Sequence, residues 1–302
     1  MEEDTEGVAL RFKGLDTWEV PELLEALWSG QSRSVAACLA ALPALAIAVE
    51  AATRRLSAKD GRLVYAGAGA SGLIAALDAL ELEATFDWPR SRTAILLAGG
   101  LDLGHGLGTQ AEDDAGSGNA GARDLRLTPA DVVLGVSASG ASAFTVGVMQ
   151  EAQRASALTV GFVGLADSAL GRAVEHLVVA ATGPEVIAGS TRLGAGTAQK
   201  ALTSMFSTGV MVRLGFVFDN FMVNLRSENA KGERRRVRIV ASIAGVDERA
   251  ASQALARHGD IKHAVLGLAG LSQAEAELAL HHAGGNMRLA LEQVSSRRRA
   301  EP

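Results

Sequence analysis

"LVYAGAGASGLIAALDALE", residues 63–81, decides how the rest of the chain is read. A short apolar run of strand character ends in glycine, and an alanine-rich helical run follows at once. Gly67, Gly69 and Gly72 stand in the spacing G-x-G-x-x-G, which sets a tight turn between a strand and a helix. Such a turn aims backbone N–H groups and the positive end of the helix dipole at an anion. Runs of the same kind recur as "RTAILLAGG" (92–100), "DVVLGVSAS" (131–139), "LTVGFVG" (158–164) and "HLVVAA" (176–181). Short apolar strands alternating with helices predict an α/β fold, a five-stranded parallel sheet flanked by helices. Ligands of such sheets bind beyond the carboxyl ends of the strands, near a topological switch point.

Which anion the first turn holds is the next question. A dinucleotide fold needs an acid about 20 residues further on, at the end of the second strand, to hold the ribose. Here the second run ends in Gly99-Gly100, and Asp102 is placed poorly for that role. The first turn carries Ser71. The third run leads into "SASGAS" (137–142), with Ser137, Ser139 and Ser142 around a glycine. Each serine alone reads as a turn or cap residue. Hydroxyl-bearing turns after both the first and third strands resemble the sugar isomerase (SIS) domain, which binds phosphosugars in this way.

The bulk composition narrows the class. The chain has 302 residues, 48% hydrophobic but only 4% aromatic, so Ala, Val, Leu and Gly must fill the core. The formal charge of −5 argues against nucleic acid as a partner. The basic run "KGERRRVR" (231–238) has no interleaved aromatics and reads as a solvated helix face. Cys38 is the single cysteine, which excludes an intrachain disulfide and a thiolate metal cluster and fits a cytoplasmic protein. The acidic start lacks a signal-peptide pattern, and no uninterrupted apolar run of about 18 residues occurs, so no membrane partner is expected. His281-His282 lacks the i,i+4 spacing of metal ligands, so no metal is expected.

Residues 19–57 read as helical, interrupted or kinked at Pro43. The glycine-rich segment 101–124 reads as a loop or a short helix. Further helices are expected up to about Leu214 and over 227–244. Composition changes near Gly245, where "ALARHGDIKHAVL" (254–266) and "ALHHAGGNMRLAL" (279–291) look like two copies of one helix–turn–helix pattern. The division is therefore 1–244, the phosphosugar domain with N-terminal helices, and 245–302, a small helical (UBA-like) appendage.

Two acidic positions suit proton transfer. Glu81 lies near the expected end of the first sheet-covering helix, where the negative end of the dipole and burial would raise its pKa. Asp78, one turn earlier, would push the same way. Glu112 opens "EDD" in the glycine-rich segment. The bland reading is that Glu81 is a solvated surface residue and Glu112 a helix cap.

"GAGASG", "LDALE" (77–81), "AEDD" (111–114) and above all "GPEVIAGSTRLGAGTAQK" (183–200) together resemble the N-acetylmuramic acid 6-phosphate etherase family, an SIS family related to glucokinase regulatory proteins. "STGVMVRLG" and "AGGNMRLAL" fit the same pattern. The resemblance implies cleavage of a lactyl ether to D-lactate and N-acetylglucosamine 6-phosphate in cell-wall recycling, without metal or redox cofactor. It implies Glu81 as general acid and Glu112 as base. It places substrate contacts at Gly69, Ser71, Ser137, Ser139, Ser142, Glu185, Ser190, Thr191 and Lys231. It also implies a homodimer, for which the apolar helices around 197–225 offer a surface. Three positions that are basic in the family are neutral here: Leu73, Ala141 and Gly194. A retuned site acting on another sugar phosphate, or a phosphosugar sensor without catalysis, are the alternatives.

Overall fold

All five apolar runs become strands of one parallel sheet. The computed structural model describes residues 7–58, 60–100, 109–225 and 229–300, and the chain divides into two compact units. Met1–Leu80 and Arg90–Thr208 form the first; Glu81–Pro89 and Gly209–Pro302 form the second.

In chain order come the long helix α1 (Val20–Leu56), β1 (Leu63–Gly67), α2 (Gly69–Phe86), which from Glu81 on belongs to the second unit, and β2 (Thr93–Leu97). Then come α3 (Ala115–Asp124), β3 (Val132–Val136), α4 (Ala143–Arg154) and β4 (Leu158–Val163). The short α5 (Ala169–Arg172), β5 (His176–Val179) and α6 (Gly194–Arg213) follow, the last five residues of α6 belonging to the second unit. The sheet order is β2-β1-β3-β4-β5, all parallel. Every residue of β1, β3 and β4 is buried, as strands covered on both faces require. On one face Val64, Ala66, Val133 and Val163 pack with Phe144, Val148 and Met149 of α4 and Leu170 of α5. On the other, Tyr65 donates to Asp78 of α2, and Phe162 meets Phe206 of α6 edge-on at 5.8 Å.

The expected break at Pro43 is not found. α1 runs through it as one helix, held before and after the proline by buried Ala41, Leu45 and Ala48. Its inward positions are nearly all small (Ala26, Gly30, Ser34, Cys38, Ala41, Ala48, Ala51, Ala52), which lets the helix lie close to β3, β4 and β5. Among the described residues, α1 is the one helix long and apolar enough to cross a membrane by length and composition, with a third of its most apolar window buried.

In the second unit the hairpin β6 (Val217–Phe218) and β7 (Phe221–Met222) precedes α7 (Ala230–Ala244), α8 (Glu248–His258) and α9 (Ile261–Leu268). α10 (Gln273–His282) and α11 (Met287–Ala300) follow. The two expected helix–turn–helix copies are α8–α9 and α10–α11, broken at Gly259 and at Gly284-Gly285. The contact-defined unit is larger than the segment 245–302, because α7 packs on α8 and α9. Its Ile239 and Val240 share a core with Leu255, Ile261, Leu266, Leu280 and Met287.

Lys262 ties this unit together. Its Nζ donates to Gly215 O at 3.0 Å and Gly285 O at 2.6 Å, and burial lowers its pKa from 10.5 to about 8, against the pull of Asp260. Lys262→Met keeps the apolar stem but strands both carbonyls, so a loss of about 1.5–3 kcal/mol is expected in urea unfolding. The sign with pH follows from the lowered pKa. Between about pH 8 and 10.5 the unfolded chain keeps a proton that the folded chain has shed, so wild-type stability rises with pH there. That rise should be absent from Lys262→Met.

Candidate active site

The strand order creates the site. From β1 the chain crosses to β2 on one side and later to β3 on the other, so β1 and β3 are neighbours although β2 lies between them in sequence. Gly67 and Val136, the last residues of β1 and β3, are paired in register. The two turns that follow therefore flank one switch-point crevice.

The glycine spacing has two separate physical causes here. A Cβ on Gly67 would lie 2.6 Å from Gly72 Cα, and one on Gly72 would lie 2.6 Å from Gly67 C, so this pair lets α2 start against the strand. Gly69 has φ +53°, and a Cβ there would meet nothing within 4 Å. Its backbone faces open space, and Ser71 stands half-buried in the same first turn of α2.

The three serines after β3 divide in role. Ser137 Oγ accepts from Gly140 N at 3.1 Å, and Ser139 Oγ accepts from Ala141 N at 3.2 Å. A hydroxyl that accepts in this way still has its own proton to donate. Ser139 is half-buried and Ser137 buried. Ser142 is the buried N-cap of α4: its Oγ accepts from Thr145 N at 3.3 Å and Thr145 Oγ1 at 2.9 Å.

The segment 183–193 winds into α6. Glu185 is buried, and its two carboxylate oxygens accept from Gly194 N at 2.9 Å and Ala195 N at 2.8 Å. It thus occupies the anion-seeking end of α6. This capping role joins residues too far apart for any capping pattern to reveal. Ser190 and Thr191 are half-buried in the turn just before α6, and Thr191 O accepts from Gly196 N at 2.8 Å. A Cβ on Gly196 would be 3.4 Å from Ile74 of α2, so the start of α6 lies beside the start of α2. A Cβ on Gly194 would meet Ser34 Oγ at 2.2 Å and Glu185 Oε2 at 2.9 Å.

The acids differ from expectation. Glu81 is exposed and lies five residues before the end of α2, so the burial argued for it does not occur. Asp78 is the buried one, accepting from Tyr65 Oη at 2.8 Å. Burial, and then Asp78, push the Tyr65 phenol well above its usual range, so it remains the donor. Glu112, in a 3-10 turn (Thr109–Asp113), is half-buried; desolvation first and Asp113 second raise its pKa. The cap of the following helix is Asp114, whose side chain accepts from Ser117 N. Lys231 is exposed in the first turn of α7, within the second unit. Asp102 lies outside the described residues. Among the described residues, no group of three or more His, Cys, Asp or Glu could hold a metal ion.

Comparison with known proteins adds the decisive observation. The chain is 42% identical over 289 residues to the N-acetylmuramic acid 6-phosphate etherase of Deinococcus radiodurans, covering 95% of this chain and 94% of that one. It belongs to the N-acetylmuramic acid 6-phosphate etherase family. The namesake of Streptomyces avermitilis is 41% identical, covering 92% of this chain and 88% of that one. That of Serratia proteamaculans is 38% identical over 92% and 94%. No family model matches the chain. Among solved structures, a phosphoheptose isomerase from Francisella tularensis covers 63% of this chain and 98% of its own, at 16% identity and a TM-score of 0.43. Leu73 is half-buried, Ala141 exposed and Gly194 buried.

Proposed function

We propose that this protein cleaves the D-lactyl ether of N-acetylmuramic acid 6-phosphate, releasing D-lactate and N-acetylglucosamine 6-phosphate in cytoplasmic peptidoglycan recycling. The observation that carries this reading is the pairing of the two hydroxyl-bearing turns at the β1/β3 switch point, in a chain of the etherase family. Ser71, Ser139 and the open backbone at Gly69 would grip the phosphate with neutral donors. Ser137 would support the same turn, and Ser190 and Thr191 are further proposed contacts.

The chemistry needs no metal. Opening the sugar ring gives a C1 aldehyde, which acidifies the C2 proton. Glu112 takes that proton, the electron pair forms the C2–C3 double bond, and the C3–O bond breaks. Glu81 gives the lactate oxygen its proton. Water then adds across the double bond, hydroxyl to C3 and proton to C2. Donors near the developing enolate oxygen would supply a further large contribution.

The protein would act as a homodimer. Leu24, Trp28, Val35, Leu39 and Leu42 line one stripe of α1 and are exposed, Trp28 at 74%, a face suited to burial by a second copy. On α6 only Met205 and Val212 are exposed among the large apolar residues, so α1 offers the broader surface. A monomer by light scattering would contradict this.

The test is incubation with N-acetylmuramic acid 6-phosphate and an assay for D-lactate. Release is expected. Thermal stabilisation by the phosphosugar with no lactate would favour the sensor reading. Interconversion of hexose phosphates without lactate would favour an isomerase.

A further inference from the structure

Gln199, on α6, is 5% exposed, yet among the described residues neither its amide nitrogen nor its amide oxygen has a hydrogen-bond partner. Thr182 is 3% exposed, and its hydroxyl has none either. Buried polar groups are nearly always paired, because an unmade bond costs the desolvation of the group without return. Each such group asks for an outside partner.

Their place in the fold says which. Gly196, one turn before Gln199, packs against Ile74 near the start of α2. Ser207, further along α6, hydrogen bonds to the Tyr65 phenol in the middle of β1. α6 therefore runs from the carboxyl edge of the sheet downward. Phe206 lies two turns beyond Gln199 on the same face and meets Phe162 of β4. The helical rise puts Gln199 about 10 Å nearer the carboxyl edge than that contact. Thr182 stands just past Ala180, whose N–H is bonded to the last residue of β4, so it too lies beyond the carboxyl ends. Both groups thus lie at the carboxyl edge of the sheet, Gln199 on the side covered by α2 and α6.

We propose that the Gln199 side-chain amide binds a hydroxyl or the acetamido group of the bound sugar phosphate, with the Thr182 hydroxyl as a second contact. This rests on the phosphosugar reading above. A primary amide presents a donor and an acceptor side by side and carries no charge. It therefore matches the neutral part of the ligand and leaves the phosphate to the turns after β1 and β3.

Titration calorimetry on the full-length protein tests this, using N-acetylglucosamine 6-phosphate and inorganic phosphate with wild type and Gln199→Met. Methionine fills the same volume and removes a buried unpaired amide, so the ligand-free melting point should hold or rise. Affinity for the sugar phosphate should drop by about tenfold or more, the scale of a lost hydrogen bond to a buried group. Affinity for inorganic phosphate should not change. Unchanged sugar-phosphate affinity in Gln199→Met would overturn the proposal, as would an equal loss for both ligands, which would mean a collapsed site. Should Gln199→Met fail to fold, Thr182→Val must show the same split. A wild-type protein that binds no sugar phosphate sinks the underlying reading and this proposal with it. A wild type that binds it and releases lactate, beside a variant that binds equally well, sinks only this one.

Discussion

Glu112→Gln is expected to lower lactate release by about 10²–10⁴-fold, the usual contribution of one positioned proton-transfer group, with product affinity largely kept. Glutamine preserves shape and removes the titration. The pH profile makes the assignment sharper. Burial raises the Glu112 carboxyl above its ordinary value, and Asp113 adds to the rise. A base must be ionised, so kcat/KM should fall as pH drops through that raised value, and this acid limb should lie above that of a solvated glutamate. Asp113→Asn removes the second cause and should move the limb toward acid. An acid limb that ignores Asp113→Asn would count against Glu112 as the base. If Glu112 instead governs an alkaline limb, it delivers the proton, and the two glutamates exchange roles.

Asp131→Ala should cost about 3–5 kcal/mol of stability, the range for leaving one partner of a buried ion pair unmatched. Asp131 precedes β3, and its side chain is 0% exposed. Its Oδ1 accepts from Arg62 N at 2.9 Å and Arg62 Nε at 3.0 Å. Its Oδ2 accepts from a second guanidinium nitrogen of Arg62 at 2.7 Å and from Thr128 N at 2.8 Å. One carboxylate thus holds the starts of the two central strands together. Burial pushes its pKa up, but the bonds from Arg62 and Thr128 outweigh that and hold it below its ordinary range. A depressed carboxylate stabilises fully above its unfolded pKa and loses the contribution as pH falls through the folded one. The gap between wild type and Asp131→Ala in urea midpoints should be constant above about pH 5 and shrink below about pH 4. A gap equal at pH 3 and pH 7 would show that packing, not the charge, is what the alanine removes.

Much of the fold is legible along the chain because its causes are local. Strand runs such as "LVYAG" and "VVLGV" are apolar on both faces and only a sheet covered twice can bury them. The spacing of Gly67, Gly69 and Gly72 reflects contacts within one turn, and Ser137, Ser139 and Ser142 sit where strand-end chemistry places them.

Other features were decided only when distant segments met. The order β2-β1-β3-β4-β5, which brings the first and third turns together, depends on which side of β1 each crossover takes. Glu185 caps a helix nine residues later, Asp78 turns inward to Tyr65 while Glu81 stays outside, and Gln199 is buried with its amide unpaired among the described residues. Periodicity and turn chemistry act over a few residues and write the elements into the sequence. Burial and hydrogen-bond partners belong to the packed chain, because a side chain's solvent is whatever the rest of the fold sets against it.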